Sequence, residues 1–271
     1  MFNCEIAKDN AAREKQESIL KLFNVRITYP NGFTVFQNIN IEIQNRQFVA
    51  IVGRSGSGKT TLLRSIGNLI PLSSGQVVLN GTAGINRSKE GKLSYVFQNP
   101  VLLPWRTVLK NVMLPGELVG SNKNTDKAKA MIELVGLTEF INSYPDQLSG
   151  GMKARVAIAR ALTYKPSLLL MDEPFGNLDE ITRNKMNMEL LRIWEATEVT
   201  IIMITHSLLE ALFLADRIIV LGPPPVGIVA DIANYDFKRP RKLDILETRE
   251  FLLRVSKLRK LLESERNGNG N

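Results

Sequence analysis

Five residues within a short stretch can hold a chain of phosphates. Gly53, Gly56 and Gly58, followed by Lys59 and Thr60 in GRSGSGKTT, match the spacing of a phosphate loop. Bare glycines let successive backbone N–H groups point inward, the lysine reaches the β and γ phosphates, and the threonine hydroxyl is offered to Mg²⁺. Arg54, Ser55, Ser57 and Thr61 complete the loop.

Complementary groups stand elsewhere. Asp172 and Glu173 close the apolar run SLLLM. Beside a phosphate loop, one carboxylate can hold Mg²⁺ through its water shell while its neighbour takes the proton of an attacking water. Consecutive residues of a strand face opposite ways, so the two acids serve one site only if the chain turns, and Pro174 favours a turn. Taken alone, such a pair is as often a helix cap. His206, the only histidine, ends TIIMIT and can hydrogen-bond a γ-phosphate or a water, although a lone histidine is commonly structural. Gln98 ends LSYVF and can bring its amide to a metal or a water. LSGGM at 148–152 is a second anion-binding turn: Ser149, Gly150 and Gly151 run into MKARVAIARALTY, which places bare N–H groups at a helix N-terminus. One chain therefore carries two phosphate cradles.

The elements that must position these residues follow from periodicity. FVAIV, LSYVFQ, SLLLMDE and TIIMITH are short apolar runs that end in polar chemistry, the pattern of buried parallel strands. Helical periods separate them in TTLLRSIGNLI, TDKAKAMIELVGL, MKARVAIARALTY and ITRNKMNMELLRIWEA. Strands alternating with helices predict an α/β fold with a mainly parallel sheet, which binds ligands at the carboxyl ends of its strands. ILKLFNVRITY and FTVFQNINIEI alternate around PNG and predict antiparallel strands. Residues 222–240, rich in Pro and Gly, read as a connector, and REFLLRVSKLRKLLESER as an amphipathic helix.

Composition narrows the class. A chain of 271 residues with 44% hydrophobic content supports a large buried core. Cys4 is the single cysteine, so internal disulfides are excluded and a reducing compartment fits. The first residues have no apolar region of a secretory signal, and the longest uncharged apolar run, Ile218 to Ala230, is broken by three prolines and too short to span a bilayer. Much of the net charge of +8 lies in residues 238–271, which hold ten basic residues against five acidic. No aromatics interleave with them, so a solvated face, an acidic lipid surface or a protein partner is expected before nucleic acid.

Tyr29, the GRSGSGKTT loop, Gln98, LSGGM, SLLLMDEP, NLD at 177–179 and His206 together resemble, in order and spacing, the A-loop, Walker A, Q-loop, signature, Walker B, D-loop and H-loop of ABC-transporter ATPase subunits. The resemblance covers about residues 20–221. It implies an α/β P-loop NTPase (ABC ATPase) with a mainly parallel core sheet, an antiparallel β subdomain and an inserted α-helical subdomain. The expected division is a polar leader at 1–18, the ATPase domain at 19–236 with its helical subdomain at about 99–165, and a basic extension at 237–271. The implied cofactors are ATP and Mg²⁺. Glu173, His206, Lys59 and Gln98 would be catalytic, and Thr60, Gln98 and Asp172 would serve the metal. Gly53, Arg54, Ser55, Gly56, Ser57, Gly58, Lys59, Thr60 and Thr61 would hold the phosphates and Tyr29 would stack on adenine. Two such domains pair head to tail, so Ser149, Gly150 and Gly151 would close over the partner's ATP, with Asp179 at the dimer seam. That answers why there are two cradles.

NPVLLPWRTVLKNV, DEPFGNLD and FLADRIIVLGPPPVGIVADI, with KRPR and EF in the tail, look like the ATPase subunits of nitrate, sulfonate, taurine and thiamine-precursor importers. This implies a peripheral subunit at the cytoplasmic face of the membrane, working with transmembrane permease subunits, a second ATPase subunit and a separate substrate-binding protein, without nucleic acid. Leu102, Leu103, Pro104 and Trp105 would be exposed and form a groove for a short helix of the permease; ordinary subdomain core is the plain alternative for Trp105. The chain departs from its relatives at Lys153-Ala154, Asn177 and Ser207, none of which removes a catalytic group. The rival reading is a soluble ABC ATPase acting on nucleic acid, the ribosome or cofactor assembly; a P-loop kinase leaves LSGGM unexplained.

Overall fold

The computed structural model describes residues 18–83, 93–118, 125–234 and 236–264. The leader, apart from Ser18, and the closing NGNGN lie outside the described residues. In chain order the strands are β1 (Ser18–Thr28), β2 (Thr34–Gln44), β3 (Phe48–Gly53), β4 (Ser74–Leu79), β5 (Thr82–Ala83), β6 (Leu93–Val96), β7 (Leu168–Asp172), β8 (Thr200–Ile204), β9 (Arg217–Leu221) and β10 (Ile228–Ala233). The α-helices are α1 (Lys59–Ile66), α2 (Val108–Leu118), α3 (Thr125–Leu134), α4 (Gly150–Leu162), α5 (Glu180–Thr197), α6 (Leu208–Leu214) and α7 (Arg249–Ser264).

The larger sheet has the order β10-β9-β3-β8-β7-β6. Its pairings are parallel from β9 to β6, and β10 closes the edge antiparallel to β9. β3, β7 and β8 are buried along their whole length, which is why their sequences are continuously apolar rather than alternating. Alternation survives in direction. Phe48, Ala50, Val52, Leu169, Met171, Ile201 and Met203 face a core shared with α4, α5 and α6. Val49, Ile51, Leu168, Leu170, Ile202 and Ile204 face a second core, closed by α1 and by the antiparallel sheet β2-β1-β4-β5. The parallel sheet is thus the middle layer, and β3, β7 and β8 bring their carboxyl ends side by side.

The α-helices α2, α3 and α4 lie between β6 and β7 in the chain and pack on one another. The Pro- and Gly-rich segment expected to be a connector contains β10. Pro223, Pro224 and Pro225 occupy the turn of a hairpin in which Gly222 N–H donates to the Gly227 carbonyl at 2.8 Å, and Gly227 has φ +83° with Ile39 packed where a Cβ would stand. Strand periodicity on both sides of a proline turn was masked by the turn residues themselves. The described part of the tail packs against the main core. Phe237, Phe251, Val255 and Leu258 are buried in the same core as β3, and the Phe237 and Phe251 rings lie 5.3 Å apart. Among the described residues no helix is long and apolar enough to cross a membrane.

Candidate active site

The turn between β3 and α1 is shaped by what its glycines permit. Gly58 has φ +88°, and a Cβ there would lie 2.5 Å from Val35 and 2.7 Å from Phe36. At Gly53 a Cβ would strike the Ser57 hydroxyl and the Leu221 carbonyl. The loop therefore wraps closely over β2 and β9 with its backbone bare. Lys59 is folded into it, and its ammonium donates to the Gly53 and Arg54 carbonyls, both at 2.9 Å. Burial pushes the Lys59 pKa down, against the opposing pull of Glu173 and Asp172. The Ser57 hydroxyl is buried with no hydrogen-bond partner, an orphan in a loop suited to an incoming acceptor.

Asp172 ends β7 and is 6% exposed. Thr60 at the start of α1 donates its hydroxyl to Asp172 Oδ1 at 3.1 Å. A hydroxyl beside a carboxylate at a phosphate loop is a hard oxygen donor set, and it fits Mg²⁺. The next residue solves the problem of two acids on one strand. Glu173 has φ +46°, a left-handed conformation that costs a non-glycine residue about 1–3 kcal/mol. It is held there by donation of its own N–H to the Ile204 carbonyl at 3.1 Å. The twist turns its carboxylate toward His206 at the end of β8, whose Nε2 lies 2.6 Å from Glu173 Oε1. Gln98 donates its amide to Glu173 Oε2 at 3.4 Å. Of the two groups in which the sequence placed Gln98, its amide here meets the catalytic one, at Glu173.

Tyr29, Ser55, Gly56, Gly58, Lys59, Thr60, Thr61, Glu173 and His206 line one cleft of about 260 Å³ with Phe33 and Val35. Tyr29 is 41% exposed, and its hydroxyl lies 2.9 Å from that of Thr61. Ser149, Gly150 and Gly151 do not line the cleft. They start α4, where Ser149 caps the helix by accepting from Met152 N–H at 3.3 Å. Asp179 likewise caps α5 by accepting from Thr182 N–H at 3.0 Å, and these hydrogen bonds hold its pKa below the usual carboxylate value.

Sequence reasoning missed several positions. Tyr95 on β6 donates its hydroxyl to Asp172 Oδ2 at 3.2 Å, and burial with that carboxylate pushes its pKa well up. Thr205, Glu210 and Arg183 form a buried polar group behind His206: the Thr205 hydroxyl donates to Glu210, and Arg183 lies 3.8 Å from it. Burial pushes the Glu210 pKa up. No motif or spacing in the sequence marks the acid at 210.

The loop after Gln98 is pinned from two sides. The fully buried Asn111 amide donates to the Leu103, Arg106 and Thr107 carbonyls. Arg160 of α4 donates to the Pro100 and Val101 carbonyls, both at 2.8 Å. Trp105 stands 71% exposed on this loop, so it is not core. Leu102 and Leu103, expected to be exposed, are only partly so, and Leu102 packs against the main core.

Comparison with known proteins agrees with this geometry. Residues 36–176 match the family model described as ABC transporter. The chain is 41% identical over 218 residues to the nitrate import ATP-binding protein NrtD of Synechococcus elongatus, covering 79% of each chain. It is 44% identical over 217 residues to the taurine import ATP-binding protein TauB of Rhizobium johnstonii, covering 78% of this chain and 80% of that one. Its fold superposes on the dimeric post-hydrolysis structure of the ATP-binding cassette MJ0796 bound to ADP and Pi, with TM-score 0.69, 32% identity and coverage of 81% of this chain and all of the other. A strand-to-helix phosphate loop, a paired Thr60 and Asp172 and a turned-out Glu173 against His206 thus sit in a chain that belongs to the ABC transporter family of ATP-binding, ATP-hydrolysing proteins.

Proposed function

We propose that the chain is the ATP-hydrolysing subunit of an importer for a small anion or organic nutrient of the nitrate, sulfonate or taurine type. It works at the cytoplasmic face of the membrane with transmembrane permease subunits, a second ATPase subunit and a separate substrate-binding protein. Residues 19–236 form the catalytic unit and 237–271 its extension. The exposed Trp105, on a loop pinned by Asn111 and Arg160, is the surface assigned to the permease. A soluble ABC ATPase acting on nucleic acid or the ribosome is not favoured, because relatives sharing most of the chain are import subunits.

The observation that carries the mechanism is the position of Glu173. Its carboxylate is turned out of the strand, 2.6 Å from His206 Nε2, and Glu173 lines the same cleft as Lys59 and Thr60. In this reading Glu173 takes the proton from a water that attacks the γ-phosphate in line. His206 donates its Nε2–H to the carboxylate and so fixes it, and Gln98 steadies the water. Lys59 leaves the Gly53 and Arg54 carbonyls for the β and γ phosphates, exchanging two neutral acceptors for charged ones. Thr60 and Asp172 would hold Mg²⁺, which supplies charge neutralisation at the phosphates when bound. Tyr29 stacks on the base. Ser149, Gly150 and Gly151 lie outside this cleft and serve the nucleotide of the second subunit.

Replacing Glu173 by Gln keeps the shape and removes the base. Phosphate release should fall by about 10²-fold or more while ATP still binds, and an ATP-bound dimer should persist by light scattering. Turnover at the rate of the unmodified chain overturns the assignment of Glu173.

A further inference from the structure

Helix α6 has only seven residues, and His206 lies just ahead of it with Ser207 as its cap. A helix this short does not hold itself. Its first turn is fixed locally: Ser207 N–H donates to the Thr205 hydroxyl at 2.9 Å, and Glu210 N–H to the Ser207 hydroxyl at 3.3 Å. Its last turn is fixed from far away. A helix end leaves its final carbonyls without partners, and here they are taken by the segment leading into the tail. Asn234 donates its amide to the Leu212 and Ala215 carbonyls, both at 2.8 Å. Arg239 donates to the Leu214 carbonyl at 2.6 Å. Arg241 donates through Nη1 to the carbonyls of Leu212, Phe213 and Ala215 at 3.2, 2.8 and 2.9 Å.

Arg241 is 4% exposed, and its other nitrogens are occupied by the Phe237 and Asn234 carbonyls. Burial, with the charge of Arg239 beside it, pushes its pKa down to about 10 against the opposing Asp216, so it stays charged at neutral pH. A guanidinium buried among carbonyls is costly unless each donor is satisfied in place. The cluster reaches further than α6. Arg239 also pairs with Asp216 at 2.9 Å, and Asp216 accepts the Phe48 N–H at 3.0 Å at the start of β3, the strand that ends in the phosphate loop. The tail thus grips the trailing end of the helix behind His206 and, through Asp216, reaches the leading end of the strand before Lys59.

We propose that Arg241, with Asn234 and Arg239, is a positioning residue for the hydrolytic step, holding α6 so that His206 meets Glu173. This deepens the site reading above and rests on it. The alternative, a staple that only stabilises the fold, makes a different prediction about how the two sites combine.

In the purified full chain, Arg241→Gln should lower kcat on the order of ten- to a hundredfold, the scale of a small misplacement of a catalytic group. ATP binding should not change. Introduced into a His206→Ala background, Arg241→Gln should lower the residual rate no further, because the group it positions is gone. Equal fold-losses in both backgrounds, or a kcat loss that tracks the fraction unfolded in a parallel denaturation curve, overturn the proposal. If Arg241→Gln does not fold, Asn234→Ala and Arg241→Lys, which keep part of the clamp, should each give a smaller kcat loss with the same non-additivity, and additive losses overturn it. A His206→Ala chain that turns over normally sinks the site reading itself. A strong His206→Ala defect beside an unaffected Arg241→Gln sinks only the clamp.

Discussion

The two glycine-bearing cradles of this molecule differ in who needs the glycines. At Gly58 the fold needs one: the backbone is left-handed and a Cβ would overlap Val35 and Phe36. At Gly150 and Gly151 it does not. Neither has a positive φ; an added Cβ at Gly150 would meet only a Leu178 methyl at 3.3 Å, and at Gly151 only Met186 and Thr182 side chains from 3.4 Å. Two adjacent glycines in the first turn of a helix even weaken it relative to alanine. One bare surface is therefore explained by its own chain, and the other only by something that approaches from outside. In the reading proposed above, that something is the nucleotide of a second ATPase subunit.

The comparison can be broken at several places. The largest effect is expected from Ser149→Arg, which fills the second cradle. Hydrolysis should fall below a hundredth of the original while the same chain still binds ATP. Mixing it with a Lys59→Ala chain should restore part of the activity, since one of the two composite sites is then intact; no recovery in the mixture would break the reading. Next come the glycines. Gly58→Ala should cost about 1–3 kcal/mol of unfolding free energy from the left-handed strain alone. Gly151→Ala should leave stability unchanged or raise it by about 0.5–1 kcal/mol, yet impair hydrolysis. Chemical denaturation reads both, and equal destabilisation would erase the contrast.

The smallest effect concerns the buried acid behind His206. The folded pKa of Glu210 is raised above the ordinary 4.5 by burial. A carboxyl with a raised folded pKa contributes stability that is fully present below the unfolded value and lost as pH rises through the folded one. Glu210→Gln cannot titrate, so its stability relative to the original chain should improve from about pH 4.5 upward. A difference that stays flat with pH would place the cost of Glu210 elsewhere.

Much of this was legible in the residues. β3, β7 and β8 were readable because buried parallel strands are apolar throughout, and the phosphate loop because glycine, lysine and threonine at fixed spacing have few other uses. The strand of Asp172 and Glu173 was readable too, and Pro174 hinted at the turn, but that Glu173 itself would take the left-handed conformation was not. That conformation is imposed from β8 by a hydrogen bond between residues 31 apart in the chain. Tyr95, Asn111 and Arg241 were silent for the same reason: each acts on backbone or side chains that only the fold brings near. β10 was hidden because a proline turn dominates the local composition.

Arg160 links two parts of the molecule, the helix capped by Ser149 and the loop that carries Trp105. It projects from the helix begun by Ser149 and grasps the carbonyls of Pro100 and Val101, a few positions before Trp105. A tilt of that helix cannot leave the tryptophan behind. Under the proposed function the arginine is a drive shaft: an event at a nucleotide bound by one neighbour would be delivered as displacement to the surface offered to another, without the message crossing the catalytic cleft of this chain.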